Sequence, residues 1–285
     1  RMVVMPARRA SRRTAADDQQ EKEQLSFLRF EKMVDNKCQM INVGFRPDYI
    51  SHSQVECFNQ CPLKYKYRYV LGIPTPAQHA LSFGQTIHRT LRDFHRADLF
   101  GKKSLDYLLE LYEEHWIEEG YESEKHKKER FEEGKQILEE YFQAHEEQLA
   151  RPLHLEKKFT LKISGIPLIG SIDRIDELED GIEIIDYKTG KVKDQKKVDR
   201  DDQLTIYALA ARDALGLKPH QLALYFMSEN KKVVTTRNNE DLEEKRAELE
   251  ETVKKIKKSK FEANPGFLCK WCDYKHLCDE YKVGD

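Results

Sequence analysis

The chain has 285 residues, 35% of them charged and 39% hydrophobic, with a formal net charge of −2 at pH 7. That length suits one large domain with appendages and a sizeable core. No apolar run is long enough to span a bilayer, and the near-neutral balance excludes a uniformly cationic nucleic-acid binder, so any nucleic-acid path must be a local basic stripe.

Residues 1 to about 24 are polar, with Arg8-Arg9-Ala10-Ser11-Arg12-Arg13 and then Asp17-Asp18-Gln19-Gln20-Glu21. They read as a flexible tail or linker, and the early acids argue against a mitochondrial presequence. A short helix is expected from Leu25 to about Asn42. Residues 1–48 are thus a tail, and 49–285 the main domain. Ser51 or Ser53 is the expected N-cap of a helix that carries Cys57 and Cys61 towards Tyr69. Lys64-Tyr65-Lys66-Tyr67-Arg68-Tyr69 alternates cations with aromatics, which suits single-stranded nucleic acid; a solvated helix face has the same composition. A second basic run is Lys191 to Lys197.

Phe83 to Phe94 begins a helix with Ile87, Leu91 and Phe94 as its core stripe and His88 at the stripe's edge. A histidine there is either structural or a ligand. Leu105 to about Leu149 is a charged helical pattern anchored by Leu108, Leu111, Tyr112, Trp116, Phe131, Ile137, Leu138, Tyr141 and Phe142. Strands are expected at 155–163, 166–176, 182–188, 222–227 and 232–236. A helix from Asp202 to near Gly216 crosses between the third and fourth, with Gln203 and Tyr207 on one face. A last charged helix runs from Glu240 to about Lys260, and Asn264-Pro265-Gly266 ends it.

The richest segment is Gly170 to Gly190, two strands joined by a tight turn. With Asp180-Gly181 as the loop, Glu179 pairs with Ile182, Asp173 lies opposite Lys188 and Ile175 opposite Asp186. Alternation then sets Asp173, Asp186 and Lys188 on one face. Two carboxylates forced together call for a cation between them, and oxygen ligands select Mg²⁺ or Mn²⁺. A solvated hairpin is the bland reading, against which stands Asp186, placed directly after Ile184-Ile185.

Six cysteines are present: Cys38, Cys57, Cys61, Cys269, Cys272 and Cys278. The last three form a C-x2-C-x5-C run. No signal peptide is apparent, so a cytoplasmic location and metal ligation are favoured over disulfides. Zinc held by four cysteines, or by the trio with His276, satisfies the spacing. Cys38 is expected to be a free thiol.

Taken together, His88, Gly-x-x-Asp173-Arg-x-Asp, Ile-Asp186-Tyr-Lys188-Thr-Gly and Gln203-x-x-x-Tyr207 resemble the PD-(D/E)XK nuclease superfamily, and most nearly its RecB/AddB-type branch, which includes CRISPR-associated RecB-like exonucleases. The resemblance runs from about Tyr49 to Tyr281. It implies an α/β, restriction-endonuclease-like mixed sheet flanked by helices, and a deoxyribonuclease acting on DNA ends or single strands in repair, recombination or defence. It assigns His88, Asp173, Asp186 and the Tyr187 carbonyl to Mg²⁺ or Mn²⁺, and Lys188 to the attacking water or the developing charge. Gln203 and Tyr207 would position DNA or the Asp-x-Lys segment, and Glu156 resembles a weaker family acid. Ser171-Ile172 stand where the motif's name has Pro, a departure common in this branch. Cys61 resembles the distant first ligand of the branch's iron–sulfur members, in which it joins a C-terminal trio on a [4Fe–4S] cluster; Cys57 is its rival. Such a clasp closes a loop of roughly 200 residues, for which closure entropy is about 5 kcal/mol. A helicase, as parent chain or partner, is also implied; no Walker A loop is present, so this chain is not the motor. A vestigial iron–sulfur or zinc module that only holds DNA ends is the alternative.

Overall fold

The computed structural model describes residues 45–98, 104–145 and 152–282. The N-terminal tail, the expected helix after Leu25, and Cys38 lie outside the described residues.

Helix α1 (His52–Gln60) starts where the Ser51 hydroxyl accepts the Gln54 N–H at 3.3 Å, a side-chain cap on an otherwise orphaned donor. It does not run through Cys61 as expected. Pro62 disfavours a helical conformation for the residue before it, and Cys61 is extended, with φ −161° and ψ 113°. The chain coils again over Pro62–Tyr65 and in a π turn, Lys66–Val70. Helix α2 (His79–Asp98) begins four residues before the expected start. The charged helical stretch after it is two helices, α3 (Leu105–His115) and α4 (Glu124–His145). Between them Trp116 packs on Tyr112, Tyr121 and Phe131.

Five strands follow the expected order: β1 (Pro152–Ile163), β2 (Ile166–Leu178), β3 (Gly181–Lys188), β4 (Pro219–Phe226) and β5 (Lys231–Thr235). They form one mixed sheet in sequence order. All neighbours are antiparallel except β3 and β4, which are parallel. Parallel neighbours need a crossover, and helix α5 (Asp202–Asp213) lies in it. Helix α6 (Asn239–Lys258) opens with a reciprocal cap between Asn238 and Asp241.

The sheet separates two cores. Ile184 and Leu224 belong to one, with Val55 and Phe58 of α1, Leu204 and Ala208 of α5 and Leu249 and Val253 of α6. Ile185 and Ala223 belong to the other, with Ile87 and Leu91 of α2, Leu108 of α3 and Leu138 of α4. Strand β3 is therefore buried from Ile182 through Tyr187 on both faces, as expected of a central strand covered on both sides.

The hairpin register differs from the expected one. Leu178 pairs with Gly181 and Ile175 with Ile184, so Glu179 and Asp180 are the loop. Gly181 is needed for a different reason: its φ is +150°, and a Cβ there would lie 2.4 Å from the Lys218 carbonyl oxygen. That oxygen accepts the Ile182 N–H at 2.9 Å where β4 begins. The shift is two residues, an even number, so it does not by itself turn Asp186 and Lys188 to the other face of the hairpin.

Candidate active site

The ladder between β2 and β3 ends at Arg174 and Ile185. Beyond it β2 stays with β1 and β3 stays with β4, so the two strands fork at Asp173 and Asp186. Asp173 spans the opening with its side chain, accepting the Tyr187 N–H at 2.9 Å. Strand β2 also turns over here. Ile172 and Ile175 are three apart yet lie in the same core, which strict alternation forbids. Glu156, opposite on β1, has φ +47°, a conformation uncommon outside glycine.

His88 reaches the fork from α2, its Nδ1 3.3 Å from Asp173 Oδ2. Ligand atoms of His88, Glu156 and Asp173 lie within 4.8 Å of one another. Asp186 stands outside that trio, so the expected set of His88, Asp173 and Asp186 is gathered only in part, with Glu156 in the third place. Asp186 is 1% exposed. Its Oδ2 is 2.6 Å from Lys188 Nζ but has no hydrogen bond of good geometry. Burial, then the charge of Asp173, pushes the Asp186 carboxyl up to about 6, against the opposing pull of Lys188. At His88 burial acts downward, but the hydrogen bond and charge of Asp173 outweigh it and raise the imidazole to about 9.

Lys188 Nζ donates to Gln203 Oε1 at 2.7 Å, and Gln203 Nε2 donates to the Tyr207 hydroxyl at 2.8 Å. The i, i+4 spacing on α5 thus gives a chain of contacts from Tyr207 through Gln203 to Lys188 and Asp186. Burial lowers the Lys188 ammonium's pKa, and the charge and contact of Asp186 more than restore it.

Behind β3 lies a polar group formed by the Arg and the second Asp of the Gly-x-x-Asp173-Arg-x-Asp motif, to which the resemblance gave no role. Arg174 is buried, pairs with Asp176 at 2.7 Å and donates to the Tyr187 hydroxyl at 3.3 Å and to that of Tyr141 at 3.5 Å. Its sequence signal was a lone cation between the apolar neighbours Ile172 and Ile175 of a strand.

Lys188 and Gln203 open into a groove of about 1040 Å³, also lined by His52, Lys193, Lys197 and Arg200. Part of the basic run from Lys191 is neutralised there: Lys193 pairs with Asp201 at 3.0 Å and Lys197 with Asp194 at 3.2 Å. The other stripe is mostly structural. Tyr65 is fully buried, and Tyr67 donates to the Leu277 carbonyl at 2.9 Å.

Cys61, Cys269, Cys272 and Cys278 all line a second cavity, of about 690 Å³. The Asn264 N–H donates to Cys61 Sγ at 3.4 Å, and the Gly266 N–H to Cys269 Sγ at 3.3 Å. Cys57 points into the core instead, where burial raises its thiol to about 11; burial raises Cys272 too. His276 is exposed and does not line the cavity.

A forked mixed sheet with an acid on each branch, a lysine two residues on and a histidine from the neighbouring helix defines a class, the nucleases built on a restriction-endonuclease-like core. The family model of the PD-(D/E)XK nuclease superfamily matches residues 49–279, and the chain belongs to that superfamily. Nucleases of this superfamily use divalent metals and act on DNA. Among solved structures, a "Putative exonuclease" from Eubacterium rectale is similar at 15% identity, with 84% of this chain and 88% of that one covered and a TM-score of 0.48. The structure of SSO0001 is similar at 11% identity, covering 89% and 97%, with a TM-score of 0.41. No curated protein matches. Among the described residues, no helix is long and apolar enough to cross a membrane.

Proposed function

We propose that this chain is a Mg²⁺- or Mn²⁺-dependent deoxyribonuclease acting on DNA ends or single strands, in repair, recombination or defence, within or beside a helicase. The observation that carries this is the pair of carboxylates at the fork: Asp186, 1% exposed, is pushed up by burial and by the charge of Asp173 although Lys188 Nζ lies 2.6 Å away. Two acids held together beside a single lysine are eased by a further cation. His88, Asp173, Asp186 and the Tyr187 carbonyl would hold the metal, with Glu156 within reach of the first two. The donor set is mainly oxygen, which suits a hard cation. Bound there, the cation supplies Lewis acidity to a phosphoryl oxygen and acidifies water.

The chain's own groups do the rest. Asp173, tied to the Tyr187 N–H, fixes the spacing of the fork. Lys188 keeps its proton at neutral pH and sets positive charge where an in-line displacement builds negative charge on phosphate oxygens. Gln203, held by Tyr207, stops that ammonium from swinging away.

The same reading gives the cysteine cavity a [4Fe–4S] cluster on Cys61, Cys269, Cys272 and Cys278. Four thiols line one cavity, and backbone N–H groups donate to two of the sulfurs, a feature that tunes such clusters. Zinc is the alternative. A brown protein with bound iron and sulfide supports the cluster; a colourless zinc protein overturns it.

End-labelled single- and double-stranded DNA, incubated with Mg²⁺ and with Mn²⁺, tests the activity. Asp186→Ala and Lys188→Ala should abolish cleavage with the circular dichroism spectrum unchanged. Cleavage retained by either variant overturns the assignment.

A further inference from the structure

The turn that carries the first two C-terminal cysteines also carries the two most exposed large apolar side chains among the described residues. Phe267 is 74% exposed and Trp271 60%, and Leu268 between them is 53% exposed. The two rings meet edge to face with centroids 4.8 Å apart. Lys270 Nζ lies 3.9 Å from the Trp271 centroid and 4.2 Å from that of Phe267. Aromatics so exposed forgo the burial that favours them inside, and the cysteine spacing does not require them.

Their place is informative. Leu268 lines the groove that Lys188 and Gln203 open into, and it lines the cysteine cavity as well. Leu268 thus joins the turn to the groove that leaves the candidate active site, while Phe267 and Lys270 line the cysteine cavity on its other side. Lys64 and Lys275 line the cavity beside it.

We infer that Phe267, Lys270 and Trp271 form a stacking platform for unpaired bases of a DNA strand that enters or leaves this groove. The inference rests on the nuclease reading for the reason a strand is there, and it adds the form of the substrate. Every base offers a π face to an aromatic ring, and a cation over the ring adds attraction for the phosphates. Bases of an intact duplex are already stacked on one another, so a platform of this kind favours single strands. A protein-docking face asks for about 800 Å² on each partner. Three exposed apolar side chains make a small face, and Lys64, Lys270 and Lys275 beside it, against Glu280, leave a net positive charge that suits a polyanion.

The test is fluorescence anisotropy of labelled twenty-nucleotide probes on the full chain carrying Asp186→Asn, without added metal. The probes are oligothymidylate, an abasic strand with the same number of phosphates, and a blunt hairpin duplex. The platform predicts that oligothymidylate binds about tenfold more tightly than the abasic strand, and that Phe267→Ala with Trp271→Ala removes this preference while leaving duplex affinity unchanged. Equal affinity for the two single strands overturns it, and that comparison needs no platform variant to fold. So does a preference that survives the double substitution. So does a dimer, seen by sedimentation, that the double substitution dissociates without altering the preference for bases. Hydrolysis of bis(4-nitrophenyl) phosphate, which has no bases to stack, separates the two readings. If the otherwise unsubstituted chain and the Phe267→Ala/Trp271→Ala variant both hydrolyse it, the nuclease chemistry stands whatever the binding shows.

Discussion

The carboxylate of Asp173 and the backbone N–H of Tyr187 meet at 2.9 Å across the point where β2 and β3 part. A side chain there replaces the next rung of the ladder, so one residue holds the fork's width and presents an acid to His88. Asp173→Asn keeps an acceptor for that N–H and removes the charge. We expect an intact fold, loss of cleavage, and a His88 pKa that falls from about 9 once Asp173 no longer counters burial. Titration of the His88 ring resonances by NMR measures it; an unchanged pKa would mean that Asp173 is not the cause.

The same groups set a pH dependence of stability for the metal-free protein. His88 is raised from 6.5 to about 9, so its contribution is full below pH 6.5 and is lost as pH rises through 9. Asp186 is raised from 3.8 to about 6, so its contribution is full below pH 3.8 and is lost as pH rises through 6. Both slopes have the same sign: without metal, this site loses stability from about pH 4 to pH 9. Thermal melts in EDTA should show His88→Gln flattening the slope between pH 6.5 and 9. Mn²⁺ must displace these protons, so its affinity should rise over the same range, and calorimetry in buffers of different ionisation heat should detect proton release.

Lys188 has two anchors, and they should weigh differently. Tyr207→Phe leaves the Gln203 amide without its acceptor but keeps the ring's packing. One lost hydrogen bond is worth about 1 kcal/mol, which corresponds to roughly a fivefold fall in kcat if it all appears in the transition state. Lys188→Ala removes the charge itself, and a loss of about 100-fold or more is expected. Single-turnover cleavage of labelled DNA ranks the two; equal losses would point to Tyr207 acting on substrate directly.

Arg174 lies one residue from a metal-ligand candidate yet its guanidinium is buried against the hydroxyls of Tyr141 and Tyr187. Removing it strands Asp176, 6% exposed, without its partner at 2.7 Å. Arg174→Ala should therefore cost about 3–5 kcal/mol in urea unfolding, the usual loss when one member of a buried ion pair is deleted. A loss under 1 kcal/mol would mean that water or Lys232 takes over the carboxylate.

Much of this was legible because strands and motifs are local. The five strands, the helix of Gln203 and Tyr207 and the order of the site residues follow from alternation and spacing. Where several signals compete, the sequence misleads. Asp180-Gly181 has the composition of a tight turn, but Gly181 answers to the Lys218 carbonyl, which lies 37 residues further on. The alternation of residues 64–69 suits a nucleic-acid stripe or a solvated helix face, and nothing local marks Tyr65 as core. The exposure of Phe267 and Trp271 has no signal in the sequence, where both stand among cysteines and have the composition of core residues. Glu156 beside His88 and Asp173 has a positive φ that no sequence pattern announces.

The choice between Cys57 and Cys61 shows how one backbone angle decides chemistry. The two are four residues apart and would share a face if α1 continued. Pro62 ends the helix, Cys61 turns to the cavity, and Cys57 stays in the core as a thiol raised to about 11. Cys61→Ala should therefore give a protein with little bound metal and a lower melting temperature, because the link between residue 61 and the C-terminal turn is lost. Cys57→Ala should keep its full metal content and lose only the small packing contribution of one sulfur. Metal analysis of the two variants, purified anaerobically in parallel, decides it; a Cys57→Ala protein stripped of metal would reverse the assignment.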